Sequence, residues 1–244
     1  MLESCLRFVR DNLRPEEIRG RSILEVGARA VQGLEMSVRP GLEALAPSRY
    51  VGVDIEAGPG VDEICDAGEL RGRFGDQSFD VLVTTEMLEH VRDWRRVVHN
   101  LKHVVRPGGA LVATTRSRGF PHHAWPHDYW RWEPSDMEAI FSDFELEALE
   151  PDLQAPGVFL KARKPADFRE RDLSGYELFS MVKQRRARDI SRRDERLFAL
   201  AYTPVRLVRA WVPQPLKDAV KRTSLSREHR VQARARRAGG RREE

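Results

Sequence analysis

Apolar residues recur along this chain in two rhythms, and the alternation between the rhythms predicts the fold. Leu2, Leu6, Val9 and Leu13 return at helical spacing, so residues 2–13 read as an amphipathic helix that Pro15 interrupts. Short apolar runs at 21–27, 50–55, 61–65 and 78–84 read as strands, with a short helix near 40–46. Between Asp93 and Val105, the side chains of Trp94, Val97, Val98, Leu101, Val104 and Val105 share one helical face. Pro107-Gly108-Gly109 then stops the helix and turns the chain into a β-branched strand, Ala110 to Thr115. Strand and helix in alternation imply an α/β fold, a parallel sheet with helices on both faces. Residues 116–133 read as a long loop, 135–141 as a helix, and 144–149 with 158–162 as an antiparallel pair at the sheet edge. Beyond Lys164 the text becomes arginine-rich and reads as helical over Tyr176–Arg188 and Arg196–Trp211, divided by Pro204, Pro213 and Pro215.

Composition turns that pattern into a domain plan. With 244 residues, 41% of them hydrophobic, the chain can bury one sizeable core and carry an appendage. The expected division is a globular domain over 1–164, a basic helical extension over 165–223 and a disordered tail over 224–244, where apolar residues are scarce. Cys5 and Cys65 lack metal-type spacing and suggest no disulfide framework, which fits a reducing cytoplasm. No apolar run approaches the roughly 18 residues of a spanning helix, and the first residues lack a charged leader followed by an apolar stretch.

The net charge of +4 hides an asymmetry. Residues 161–244 hold 24 Lys and Arg against 11 Asp and Glu, a balance of +13, whereas residues 1–160 carry −9. Such a basic end is expected to form helices that dimerise, cover a cleft or rest on an anionic inner-membrane face. Nucleic acid is the weaker expectation, because apart from Tyr202 and Trp211 the arginines lack interleaved aromatic rings.

Four motifs in order carry the chemistry: Leu24-Glu25-Val26-Gly27, Val51-Gly52-Val53-Asp54, Phe79-Asp80-Val81-Leu82 leading into Glu86-Met87-Leu88-Glu89-His90-Val91, and Leu101 to Val105 ending in Arg106-Pro107-Gly108-Gly109. Two strands that each deliver a carboxylate at the carboxyl edge of a parallel sheet suit the hydroxyls of a ribose. In this order and spacing, the motifs resemble the class I S-adenosylmethionine-dependent methyltransferases over about residues 20–163. The resemblance implies a Rossmann-like, seven-stranded, mostly parallel sheet and S-adenosylmethionine as cofactor. It further implies cofactor contacts from Glu25, Gly27, Arg29, Asp54, Ile55, Asp66, Ala67, Thr85 and Glu86, with Glu25 near the methionine amine, Asp54 on the ribose and Asp66 near the adenine amine. One departure stands out: Arg29 and Val31 occupy positions where the family's turn has further glycines, with Gly33 the nearest substitute. A pyrophosphate needs the amides of such a turn, whereas a sulfonium cofactor carries no phosphate, so a dinucleotide dehydrogenase is disfavoured.

The loop Gly119 to Trp132 follows the fifth strand, at the edge where open parallel sheets bind ligands. Its glycine-aromatic pair, histidine and Asp-Tyr-Trp-Arg run resemble methyltransferases of sugar and polysaccharide biosynthesis, which implies O-methylation of a saccharide or glycosylated metabolite. O-methylation needs a base for the acceptor hydroxyl, and an imidazole with a pKa near 6.5 suits that task. His90, His122, His123 and His127 are candidates; His123 is favoured, oriented by Asp128 or Glu86. Trp125, Tyr129, Trp130 and Trp132 could stack on sugar rings, and Arg131 could clamp an anionic acceptor or pair with Asp128 or Glu133. Glu86, Glu89, His90 and Asp128 are candidate ligands for a divalent metal such as Mg2+. A non-catalytic module that keeps the cofactor fold, and a methyltransferase acting on another small molecule or on nucleic acid, are the competing readings.

Overall fold

The computed structural model describes residues 2–31, 33, 36–124 and 126–211, the last ten as backbone only. In chain order the elements are α1 (Glu3–Asn12), α2 (Pro15–Ile18), β1 (Ser22–Val26), α3 (Arg39–Glu43), β2 (Arg49–Asp54), β3 (Glu63–Ile64), α4 (Leu70–Phe74), β4 (Phe79–Thr85), α5 (Trp94–Val104) and β5 (Val105–Arg116). They continue with β6 (Trp130–Arg131), α6 (Pro134–Ile140), β7 (Glu145–Pro151), β8 (Gly157–Arg163), β9 (Leu178–Ser180), β10 (Arg185–Ala187) and α7 (Arg192–Trp211). A seven-stranded sheet has the order β3-β2-β1-β4-β5-β8-β7, parallel from β3 to β5 and antiparallel at β8 and β7. The parallel sheet and its antiparallel edge pair are those the sequence rhythm implies, and the seven-stranded Rossmann-like arrangement is the one the resemblance implies.

Period-two alternation sorts the strand residues between two cores. Ile23, Val81, Val83, Ala110, Val112 and Phe159 face the layer of α1, α2 and α3. Leu24, Val26, Leu82, Leu111, Ala113 and Leu160 face the layer of α4, α5 and α6. Helix α5 buries Trp94, Val97, Val98, Leu101 and Val104, and its first turn is capped by Asp93, whose side chain accepts the Arg96 N–H. At α6, the Glu133 N–H donates to the carboxylate of Asp136, one half of a capping box.

Residues 176–188 depart from the helical expectation. They form the hairpin β9–β10, which joins β6 in a second, three-stranded sheet. Arginine-rich text favours helix by propensity, but β6 offers an unpaired edge beneath it: Trp130 aligns with Ser180 and Arg131 with Phe179. Arg95 of α5 holds the same segment through the carbonyls of Leu173, Tyr176 and Arg188. The first compact unit accordingly runs to Ser191 rather than ending at 164. The second begins at Arg192 with α7, which continues through Pro204. The tail expected over 224–244 lies outside the described residues. No helix among the described residues is long and apolar enough to cross a membrane.

Candidate active site

Parallel register sets β1 and β2 level, with Val26 opposite Val53, so Gly27 and Asp54 emerge at the same carboxyl rim. Gly27 has φ +80°, a conformation natural to glycine. A Cβ there would lie 2.8 Å from the Cβ of Met87, so no side chain fits between this turn and the loop after β4. The N–H groups of Gly27 and Ala28 donate to the Val53 carbonyl at 2.9 and 3.0 Å. Asp54 accepts the N–H groups of Arg29 and Glu56, both at 3.2 Å, and stays half-buried. Beside it Ile55 is 64% exposed, an apolar surface at the strand end. Asp66 is exposed and caps the turn Ala67–Glu69, accepting the Gly68 N–H at 2.7 Å, while Ala67 is buried.

Arg29 does not fill the rim between the strands. Its side chain crosses to the β2–β3 loop, where it pairs with Glu56 and lies against Gly58, whose added Cβ would be 3.0 Å from the arginine Cγ. Glu25 faces the α1–α3 layer, 2% exposed, and accepts the Tyr50 hydroxyl at 2.7 Å. Burial pushes its pKa up to about 7, against the lowering effect of the Tyr50 hydrogen bond. The rim fits S-adenosylmethionine: Asp54 and Asp66 offer acceptors, Ile55 an apolar flank, and the Gly27 turn has the close backbone approach that only a missing side chain permits.

Where β4 ends, Glu86 takes φ +57° and turns its carboxylate inward. It pairs with Arg116, itself buried at the end of β5, and accepts the Thr114 hydroxyl at 3.3 Å and the Cys5 thiol at 3.4 Å. Arg116 also contacts Asp152 at 3.2 Å, and Asp152 accepts the Ser4 hydroxyl at 3.0 Å. Helix α1 is thereby fastened to the strand ends by Ser4 and Cys5. Burial, reinforced by the neighbouring Glu89, raises Glu86 to about 7 despite Arg116; burial likewise pushes the Cys5 thiol up to about 12. Ser4, Cys5, Arg116 and Asp152 escape a reading of motifs. Their one sequence signal is Arg116, a charge directly ending the apolar run of β5.

A second group of charges lies between the loop after β4 and the loop after β5. Glu89 is fully buried; one carboxylate oxygen accepts the Thr115 hydroxyl at 2.8 Å, and the other, Oε1, has no hydrogen-bond partner among the described residues. His90 Nε2 and His123 Nε2 each stand 3.8 Å from Oε1, and the two rings meet edge to face. On its other side His123 presents Nδ1 to Asp128 at 3.3 Å, and its backbone N–H donates to the same oxygen at 2.8 Å. Asp128 is locked in a two-pronged pair with Arg131 at 2.5 and 2.8 Å. Burial opposes its ionisation, but the hydrogen bonds from Arg131 and His123 outweigh it and hold the carboxyl well below the usual range.

The structure therefore brings His123, His90 and Asp128 together, and supplies Glu89, rather than Glu86, as the second carboxylate at His123. His122 reaches the same Asp128 oxygen at 3.8 Å, while His127 is turned to the Tyr129 hydroxyl at 3.0 Å. Arg131 takes the salt-bridge alternative, and its remaining N–H groups donate to the carbonyls of Phe120, Pro121 and Trp130. Tyr129, Trp130 and Trp132 are buried, Trp132 edge-on to Trp94, so they are packing residues rather than sugar platforms; Trp125 lies outside the described residues. The metal candidates also separate. Glu86 belongs to Arg116 and Asp128 to Arg131, leaving Glu89, His90 and His123 with ligand atoms within 4.8 Å of one another. One carboxylate and two imidazoles do not match the oxygen ligation that Mg2+ prefers.

Comparison with known proteins agrees with this geometry. Residues 2–158 match a methyltransferase domain family. A ubiquinone biosynthesis O-methyltransferase of Sinorhizobium fredii is 27% identical over 165 residues, covering 63% of this chain and 66% of the relative. Another of that name, from Klebsiella pneumoniae, is 36% identical over 101 residues, 41% of this chain and 39% of the relative. The chain thus spans just under two thirds of the first relative and about two fifths of the second. By name these relatives serve ubiquinone biosynthesis, not saccharide modification. Among solved structures, a chain in the complex of the Haloferax volcanii Trm112 methyltransferase activator with a methyltransferase superposes with a TM-score of 0.55 at 14% identity, over 68% of this chain and 91% of the other, which establishes the shared fold. With its sheet order, its glycine turn and its paired rim carboxylates, the chain belongs to the methyltransferase domain family and is built for S-adenosylmethionine.

Proposed function

We propose that this protein transfers a methyl group to the oxygen of a small hydroxylated acceptor, a phenolic hydroxyl in preference to a sugar hydroxyl. The observation that carries the reading is His123, set between Asp128 at Nδ1 and, near Nε2, a Glu89 oxygen that has no hydrogen-bond partner among the described residues. Asp128, ionised and 3.3 Å from Nδ1, draws the ring proton to that side of the imidazole, and the Nε2 lone pair is then the one that accepts a proton. When an acceptor hydroxyl loses its proton to Nε2, Asp128 and Glu89 stabilise the imidazolium that forms. Bound S-adenosylmethionine supplies a methyl group on a positively charged sulfur. Glu86 lies at the β4 end of the same rim, its orientation set by Arg116 and Thr114. The clustered donors Glu89, His90 and His123 do not suit Mg2+.

General acidity and one observation of the structure support a phenolic acceptor. A phenol, with a pKa near 10, gives up its proton to a neighbouring base far more readily than a sugar hydroxyl does. The rings that would have stacked on a pyranose, Tyr129, Trp130 and Trp132, are buried in the core. The saccharide reading rests on the loop's residue pattern alone. Labelled methyl transfer to catechol-type phenols and to simple saccharides tests both. Phenol methylation in the wild type, falling by roughly 10²–10⁴ in kcat for His123→Ala while S-adenosylhomocysteine affinity holds, is the expected result. Transfer to saccharides alone would overturn the acceptor class, and binding of S-adenosylhomocysteine without transfer to any acceptor would favour a non-catalytic module.

A further inference from the structure

A second group of metal-type side chains lies at the opposite edge of the sheet, where the chain enters β4. His99 and His103 are one turn apart on α5, and their rings lie 4.3 Å apart on the same face. Glu170, from the segment between β8 and β9, places one carboxylate oxygen 2.7 Å from His99 Nδ1 and 2.9 Å from His103 Nε2. The three ligand atoms lie within 4.8 Å of one another. Asp76, just before β4, stands 3.9 Å from the other nitrogen of His103. None of these residues contributes to the methyl-transfer rim.

We infer that His99, His103 and Glu170 form a binding site for a divalent transition metal, with Zn2+ as the fitting ion, that fastens the segment after β8 to helix α5. The donor set carries the choice of metal. Imidazole nitrogens suit zinc and its transition-metal neighbours rather than Mg2+ or Ca2+, and two imidazoles with one carboxylate leave a fourth tetrahedral position for water. Asp76 provides the carboxylate that commonly orients a ligating imidazole through its second nitrogen.

The position explains what such an ion would do. Arg95, one turn before His99 on the same face of α5, already holds the carbonyls of Leu173, Tyr176 and Arg188. Zinc at His99 and His103 would continue that attachment along the helix to Glu170. The hairpin this segment leads into pairs with β6, whose Arg131 fixes Asp128. Both imidazoles change tautomer on binding: the His103 proton moves from Nε2, 2.9 Å from Glu170, to Nδ1 on the side of Asp76, and His99 shifts in the same way. Arg71 Nη1 now lies 3.1 Å from His99 Nε2 and directs the ring proton to Nδ1, toward Glu170. Coordination through Nδ1 moves that proton to Nε2 and displaces Arg71, which is half exposed and keeps its two bonds to Asp76. Both imidazoles stay neutral and neither loses its proton.

Calorimetric titration of the full chain with Zn2+, with Co2+ absorption as a second readout, tests the site. Because Glu89, His90 and His123 also present two imidazoles, the titration is run in the His123→Ala background as well as in the wild type. The inference expects one saturable Zn2+ site that survives in His123→Ala and a tetrahedral Co2+ spectrum. It expects both to be lost in His99→Asn/His103→Asn and in Glu170→Gln, and it expects Zn2+ to slow proteolytic cleavage between residues 164 and 178. Zinc binding that is unchanged in the folded His99→Asn/His103→Asn protein, or that vanishes in His123→Ala alone, would overturn it, as would the absence of any saturable site.

Discussion

The two halves of the rim are built by different means. Around β1 and β2 the cofactor half relies on backbone: a glycine turn pressed against Met87, amides bonded to Val53, and an Asp54 carboxylate that remains half exposed. Around β4 and β5 the half proposed to take the acceptor relies on buried charge, with Glu86, Glu89, Arg116, Asp128, Arg131 and Asp152 all paired or hydrogen-bonded inside the protein. Backbone that must meet a constant cofactor is conveyed by a few local residues. Buried charge requires partners from distant parts of the chain, as Ser4 and Asp152 illustrate. The first half is therefore expected to tolerate substitution in proportion to local strain, and the second to fail as connected networks.

Substitutions can break that contrast at either end. Arg131→Leu has the largest expected effect on stability: Asp128 would be left buried and uncompensated, at a cost of roughly 3–5 kcal/mol in urea unfolding. A loss below 1 kcal/mol would show that the loop, not the ion pair, holds the acceptor half together. In the cofactor half, Gly27→Ala must adopt φ +80° and push Met87 aside, with strain of about 1–3 kcal/mol expected as weaker S-adenosylhomocysteine binding. Unchanged affinity would mean that the turn relaxes freely. A subtler comparison concerns pH. Glu25 has a folded pKa of about 7, raised by burial above its unfolded value near 4.5, so the folded state holds its proton longer. Its contribution is greatest below pH 4.5 and is lost as pH rises through 7, an effect of about 3 kcal/mol. Glu25→Gln should flatten that slope in urea midpoints measured from pH 4.5 to 7.5; an identical slope in both proteins would refute the assignment.

Legibility in the sequence followed the same division. Strand rhythm revealed the sheet, because residues such as Leu24 and Ile23 alternate between two covered faces, and that alternation is written locally. Gly27 and Asp54 stood out because a strand end followed by a turn is a short-range pattern. Glu25 stood out too, yet its side chain is bonded to Tyr50, a partner 25 positions away. The hairpin of 178–187 was hidden because its pairing partner, β6, is a two-residue strand some 50 positions earlier, while the arginines in between favour helix. In the acceptor half, the His123 and Asp128 pairing was readable from the loop, but Glu89 as its second carboxylate depended on how the loop folds back over β4.

Calorimetric titration with S-adenosylhomocysteine, comparing wild type with Asp54→Ala, bears most directly on the claim that Gly27 and Asp54 jointly form the cofactor half of the rim. The account predicts saturable one-to-one binding in the wild type and affinity weakened by at least about tenfold, roughly the 1.4 kcal/mol of a hydrogen bond to a charged group, in a variant that unfolds at the same urea concentration. No binding to the wild type, or equal affinity in the two proteins, would contradict it.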